Sequence, residues 1–340
     1  MIAQIFKKKA TLLLIFLSIN FVQAQWTKQS AGTDASFRSI HALSKKVVWA
    51  GGSKGTVLRT INGGEKWQVI HVKDAEGLDF RDIYGVSDKI AYAMSAGDAD
   101  KGAAKIFKTI DGGETWKIVL HLTEKGIFFD SMDFWNEKEG ILIGDPIDDK
   151  PFILRTLDGG LTWNRIDKAR LPAVLVGEAS FASSGTCIAT KPNGKAWLNT
   201  QSRVFFTPDK GETWQVYQTP FKQGQTSGIF GLHFWNEKQG IAVGGDYKND
   251  KEKADNVAIT EDAGKTWKFL AAAQPDGLKE SGWMLPNKNL LVVGTSGTGV
   301  MDKSGVWKAI DNESFHAISC FKDACWAIGA KGNLAKWREF

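Results

Sequence analysis

Thr109-Ile110-Asp111-Gly112-Gly113-Glu114-Thr115-Trp116 is one member of a series. The pattern Thr-x-Asp/Asn-x-Gly-x-x-Trp returns at 60–67, 156–163, 207–214 and 260–267. A worn sixth copy at 300–307 keeps Asp302 and Trp307 but moves its Gly by one place. Trp26 and the Trp residues that end the six copies, Trp67 to Trp307, stand 40 to 53 residues apart. Self-similarity at that period marks a chain built from stacked supersecondary units.

Working outward, each copy sits between two short β-rich runs. TVLRT, KIFKT and FILRT precede it, and WQVI, WKIVL and WNRI follow. Further upstream comes an apolar run ending in Gly or a small residue, such as VVWAGG or ILIGD, and before that a first run such as FRSIHAL or FRDIYGV. Four short strands per unit are predicted, with Gly-containing hairpin turns and no helical period. In the fourth unit GEASFAS (177–183) reads as the first strand and CIAT (187–190) as the second. The last unit, from Phe315, has only three runs, and Gln25-Trp26-Thr27-Lys28 reads as an orphan fourth. Joining the two ends removes both exposed sheet edges. The expectation is an all-β, seven-bladed propeller of four-stranded antiparallel blades spanning 25–340, closed by the N-terminal strand. The 36 Gly and 14 Trp against 8 Pro fit many short strands and tight turns.

Ahead of the repeats lies Lys7-Lys8-Lys9, then an apolar run from Ala10 to Phe21, then Val22-Gln23-Ala24. This is the layout of a secretory signal peptide, residues 1–24, cut before Gln25. The alternative is a retained anchor, for which an apolar run of about a dozen residues falls short of the roughly 20 that a span needs. An exported protein, periplasmic or secreted, is expected. The only charges before Gln25 are those three Lys, so the net charge of +5 becomes +2 for residues 25–340. There is no basic stripe of the kind that binds nucleic acid, and no later run is apolar enough to span a membrane. We expect a monomer with no cofactor and no metal, since His and Cys lack ligand spacing.

The repeated Asp111, Asp158, Asp209 and Asp262 are expected to hold their hairpins, and Trp67, Trp116, Trp163, Trp214 and Trp267 to pack between blades. An acid present in nearly every blade cannot mark one active site, and Asn62 takes the same place without being an acid. Cys320 and Cys325 flank a four-residue hairpin turn. An oxidising compartment would permit a disulfide there, with two reduced thiols as the alternative. Cys187 reads as a small buried hydrophobe.

Alternating strand direction puts the first-strand starts and the strand 2–3 loops on one face, opposite the repeated turns. That face collects Arg38, Arg81, Asp130, Glu178 and His316 from the strand starts, and Lys54, Asp98, Asp145, Lys191, Asp246 and Tyr247 from the loops. As a charged set at the channel mouth these form the candidate binding site. The alternative for any one of them is a solvated loop charge.

The repeated motif is that called the Asp-box in the sialidase and BNR-repeat families. Together with Phe37-Arg38, Phe80-Arg81, the segment 177–186 and Gly244-Gly245-Asp246-Tyr247, the chain resembles the photosystem II stability/assembly factor family over nearly its whole mature length. That resemblance implies an assembly propeller that binds a protein or peptide partner, with an arginine patch of which Arg38 and Arg81 are the matching positions here. Bacterial relatives are often labelled oxidoreductases, but this chain carries no nucleotide, flavin or haem motif. A sialidase-type glycosidase is the enzymatic alternative. It would cast Tyr247, Glu178 and Asp246 in catalytic roles, although Phe37-Arg38-Ser39-Ile40 lacks the Pro of that family's signature. A quinoprotein dehydrogenase is a third reading, resting on Asp262-Ala263-Gly264-Lys265-Thr266-Trp267 alone.

Overall fold

The computed structural model describes residues 25–253, 255–270 and 274–338; the expected signal segment, 1–24, lies outside them. The strands form seven four-stranded antiparallel sheets arranged as a propeller. The innermost strands are Phe37–Ala42, Asp79–Gly85, Phe129–Phe134, Ile188–Thr190, Ser227–Phe234, Ser281–Met284 and Ala317–Phe321 for blades 1 to 7. In six blades the four strands follow one another outward in chain order. Blade 7 is assembled from both ends: Trp26–Lys28 pairs with Leu334–Trp337, with Trp26 opposite Trp337. The Trp26 indole Nε1–H also donates to Thr298 Oγ1 of blade 6 at 2.9 Å, so the closing strand is fastened to its neighbour as well. Among the described residues no helix is long and apolar enough to cross a membrane.

The repeated turn explains itself through hydrogen bonds. Thr109 Oγ1 donates to Asp111 Oδ1 and accepts from Gly113 N, while Asp111 Oδ1 also accepts from Thr115 N, all at 2.8–2.9 Å. The Thr115 hydroxyl and amide hold the Asp111 carboxyl down at about 2. Gly113 must have φ of +91° here, and a Cβ on it would lie 2.5 Å from Ile70 of the preceding blade. Asn62 reproduces the pattern with its amide oxygen, accepting from Lys66 N at 3.0 Å. The turn is therefore a closed local network that stops strand 3 and starts strand 4.

The core lies in the gaps between blades. Trp49 and Val57 of blade 1 pack on Phe80, Ile83 and Phe107 of blade 2, and Trp116 meets Trp49 edge-on at 6.2 Å. Trp267 meets Phe234 at 5.8 Å, in the cluster that includes Trp197 of blade 4. Each buried aromatic removes roughly 150–250 Å² from water, worth on the order of several kcal/mol. Cys320 and Cys325 are joined by a disulfide across the first hairpin of blade 7, where they are register partners.

Blade 4 departs from the expected register. Its innermost strand is Ile188–Thr190, not the 177–183 stretch, and its second is Ala196–Asn199. Lys191 to Lys195 is consequently the strand 1–2 turn, which puts Lys191 on the face opposite to the expected one. Cys187 precedes the inner strand rather than lying in strand 2, and it is buried. Strand Ala196–Asn199 follows a Pro-Asn-Gly turn and is only four residues long, so the apolar CIAT run took its place in the repeat alignment. The residues released from strand duty, about 171–187, form an insertion over the end of the channel.

Candidate functional site

Four inner strands carry a β-bulge at the same height. The strand 1–2 register slips between Phe37 and Ser39, Phe80 and Asp82, Phe129 and Ser131, and Ile229 and Gly231. The extra residues are Arg38, Arg81, Asp130 and Phe230, and all of them line a single cavity of about 570 Å³ at the channel mouth. A bulge twists its strand and re-aims one side chain. Repeated in blades 1, 2, 3 and 5, it turns what would be blade-facing residues toward a common centre.

The insertion supplies the floor. Ser183 to Thr186 crosses the channel between the blades. Gly185 packs against blades 1 and 2, where an added Cβ would lie 2.6 Å from Asp82 Oδ1 and 2.9 Å from Ser39 Cβ. Ser184 Oγ donates to Glu280 O of blade 6 at 2.9 Å, and Thr186 O accepts from Leu232 N of blade 5 at 2.8 Å. Phe181, just upstream, stacks on Phe230 with ring centroids 4.2 Å apart, and Tyr247 stands edge-on to Phe181 at 6.1 Å.

Charges around the cavity are unevenly matched. Arg81 Nε donates to Asp79 Oδ2 at 2.6 Å, and its Nη1 donates to Ala182 O at 2.8 Å, tying blade 2 to the insertion. Glu280 is 2.7 Å from His316 Nδ1 and 3.9 Å from Arg38 Nη1. Burial, and then the neighbouring Arg81, hold the Arg38 guanidinium below its usual range. Asp130 has no such partner. It is 1% exposed, and its Oδ2 is buried with no hydrogen-bond partner among the described residues. Burial and then the Asp145 charge push its carboxyl well up, and burial also raises Asp145.

Of the residues expected to form this site, the structure gathers Arg38, Arg81, Asp130, Asp145 and Tyr247, together with His316. Lys191 lies on the other face, and Lys54 and Asp98 do not line the cavity; Glu178 and Asp246 are displaced as well. Glu178 is not at a strand start on the channel wall. It is buried inside the insertion, where its carboxylate accepts from the Arg203 guanidinium, the Thr200 hydroxyl and the Leu175 amide. With its oxygens engaged in this way, Glu178 fastens the insertion to blade 4 and is not free to activate a Tyr nucleophile. Asp246 ends strand 2 of blade 5 and folds back on its own loop, accepting from Lys248 N at 2.8 Å and Asn249 Nδ2 at 3.2 Å. It borders a separate hollow under Phe221.

Phe181, Phe230 and Glu280 were missed. Phe230 had a signal: Ile229-Phe230-Gly231 occupies the place of Phe37-Arg38-Ser39 in the repeat. Glu280 and Phe181 had none, because they come from an irregular approach to blade 6 and from the insertion.

The opposite mouth is wider, about 930 Å³, and lined by His41, Asp82, Tyr84, Asp133, Lys191, His233 and Trp283 among others. Its acids are already served. Asp82 accepts from Ser131 Oγ, Met132 N and Ile83 N at 2.7–2.8 Å, and Asp133 from Phe134 N and Thr190 N at 2.8–2.9 Å. Burial raises them to about 7 and about 6, and it lowers His41 to about 4 and His233 to about 3. These groups stitch adjacent blades together. Of the buried polar atoms without a partner, Asp130 Oδ2, Ser183 Oγ and Thr295 Oγ1 belong to the lining of the smaller mouth and His233 Nε2 to that of the wider one.

A family model described as Sortilin, neurotensin receptor 3 (Sortilin-Vps10) matches residues 152–280, less than half of the chain. Comparison with curated proteins finds no match. Among solved structures, the chain is similar to YCF48 bound to D1 peptide, with TM-score 0.66 and 16% identity, covering 93% of this chain and 97% of that one. It is similar to YCF48 from Cyanidioschyzon merolae, with TM-score 0.63 and 13% identity, over 93% and 99% of the two chains. It is also similar to a streptogramin B lyase, with TM-score 0.65 and 14% identity, over 93% and 99%. At such identities the likeness is one of fold.

Proposed function

We propose that this chain is an exported propeller that holds a segment of a protein or peptide partner across its bulge-lined channel mouth, as an assembly or binding scaffold related to the photosystem II assembly-factor family. The observation that carries this reading is the convergence of four bulge residues from separate blades on one floored cavity. Regular blades would leave the mouth lined by backbone; here it presents two guanidinium groups, an unpartnered carboxyl and an aromatic pair. A solved propeller of the same architecture carries a bound peptide. The insertion also exposes apolar side chains, Val176 at 98% and Leu175 at 44%, of the kind a partner chain covers. Disulfide-linked Cys320 and Cys325 fit an oxidising compartment.

The test is affinity capture from the envelope and medium of the source cells, with the wild-type chain and an Arg38→Ala/Arg81→Ala double variant of unchanged melting temperature. Specific partners on the wild type that are lost from the variant are expected. Equal recovery on both would remove this face as the binding surface.

A further inference from the structure

We infer that the Asp130–Asp145 side of the mouth, walled by Phe181, Phe230 and Tyr247, receives a basic side chain of the bound segment, a guanidinium or an ammonium group. This rests on the reading above and names what the partner must present.

Most of the other charges at the mouth are engaged with one another. Asp79 is ion-paired with Arg81 through Oδ2, its Oδ1 being buried without a hydrogen bond, and Glu280 is paired with His316 with Arg38 nearby. What remains is a carboxyl pair on blade 3. Asp130 stands at the bulge of the inner strand and Asp145 at the end of strand 2, where its carboxylate receives the Ser180 amide. The two carboxyls line one cavity, Asp130 buried and Asp145 half-buried, and the Asp145 charge opposes ionisation of Asp130, so the pair tends to keep a proton. Leaving Asp130 Oδ2 without a hydrogen-bond partner costs the free protein stability. Such a cost is retained where a ligand makes it good.

The aromatic wall narrows the chemistry further. Phe181 is part-exposed and stacked on buried Phe230, and Tyr247 is 51% exposed. A cation lying on such rings while facing a carboxylate gains both contacts at once. An acidic ligand would meet the pair with like charge. Other titratable groups facing Asp130 are Arg81 and Asp79 from blade 2, and the Cys187 thiol, which is held well up by burial and by the Asp130 and Asp82 charges. Asp250, Glu280, His316 and Arg38 complete the rim. No Lys lines this cavity among the described residues. Arg81 is turned to Asp79 and to the Ala182 carbonyl, which leaves the position over Asp145 for a visiting cation.

The experiment is selection of random linear peptides, displayed on phage, against the chain beginning at Gln25. Isolated peptides are then measured on wild type, Asp145→Asn and Asp130→Asn, with melting temperatures alongside. Both variants are near-isosteric, so the second serves if the first does not fold. The expected result is enrichment of Lys or Arg at one position and at least a tenfold loss of affinity in Asp145→Asn. Replacing the enriched residue by citrulline or norleucine should cause a similar loss, and which residue is enriched distinguishes guanidinium from ammonium. Binders that are lost on Phe181→Ala but carry no basic residue, or that Asp145→Asn leaves unchanged, would overturn this inference while the mouth stays a peptide site. No binder at this face would overturn both.

Discussion

Asp111 and Asp130 belong to neighbouring blades and meet opposite fates. Asp111 sits in a surface turn where Thr109, Thr115 and the local backbone hydrogen-bond its carboxylate, and its pKa falls to about 2. Asp130 is buried, its Oδ2 has no hydrogen-bond partner among the described residues, and its pKa is driven well up. The first is repeated in blade after blade; the second occurs once. The contrast teaches that in a repeat protein the conspicuous acid is the structural one. The acid with an unpartnered oxygen stands where the repeat is broken.

The comparison can be tested at both poles. Glu178→Ala should have the largest effect. It leaves the Arg203 guanidinium buried without its partner, at a cost of about 3–5 kcal/mol. Urea unfolding measures it, and a loss below about 1 kcal/mol would mean that the pair does not hold the insertion.

Next comes a pH effect at the wide mouth. Burial raises the folded-state pKa of Asp82 to about 7, from an ordinary value of 3.8. Between those values the folded form binds the extra proton, so wild-type stability falls as pH rises through this window and levels off above it. The penalty of Asp82→Asn should therefore shrink between pH 4 and pH 7, by on the order of a few kcal/mol. Unfolding curves at several pH values would show it; a constant penalty would contradict it.

Asp130→Asn should be smaller and opposite in sense. Removing an uncompensated carboxyl is neutral or stabilising by about 1 kcal/mol, while partner binding is lost. A destabilisation beyond about 2 kcal/mol would make Asp130 a structural group like Asp82. The smallest effect is expected at Asp111. Asn should be tolerated better than Ala, because Asn62 already makes the same turn in blade 1. Equal melting temperatures for the two variants would mean that the turn oxygen contributes nothing.

Much of this fold was legible because it repeats. The Thr–Asp–Gly–Trp spacing gave away the hairpins, and the missing fourth run of the last unit pointed to Trp26–Lys28. Blade 4 was misread where the repeat breaks. The apolar Cys187–Thr190 run imitates a second strand, and the true second strand, Ala196–Asn199, is short and flanked by turns. Glu178 looked like a channel acid because its partner Arg203 is 25 residues away, and only burial brings the two together. Arg38 and Arg81 could be placed at the mouth from strand direction, but the bulges that aim them leave no mark in composition. Phe181 and Glu280 reach the cavity only through the insertion and the approach to blade 6, which no periodic pattern describes.

The most direct test of the central claim is site-specific photo-crosslinking in the source cells. A photoreactive residue is placed at Tyr247, beside the small mouth, or at Leu161, which is 64% exposed in a repeated turn on the other face. A discrete adduct from position 247 and none from 161 is the result expected. Adducts from 161 alone, or identical adducts from both positions, would contradict the assignment of the bulge-lined mouth as the binding face.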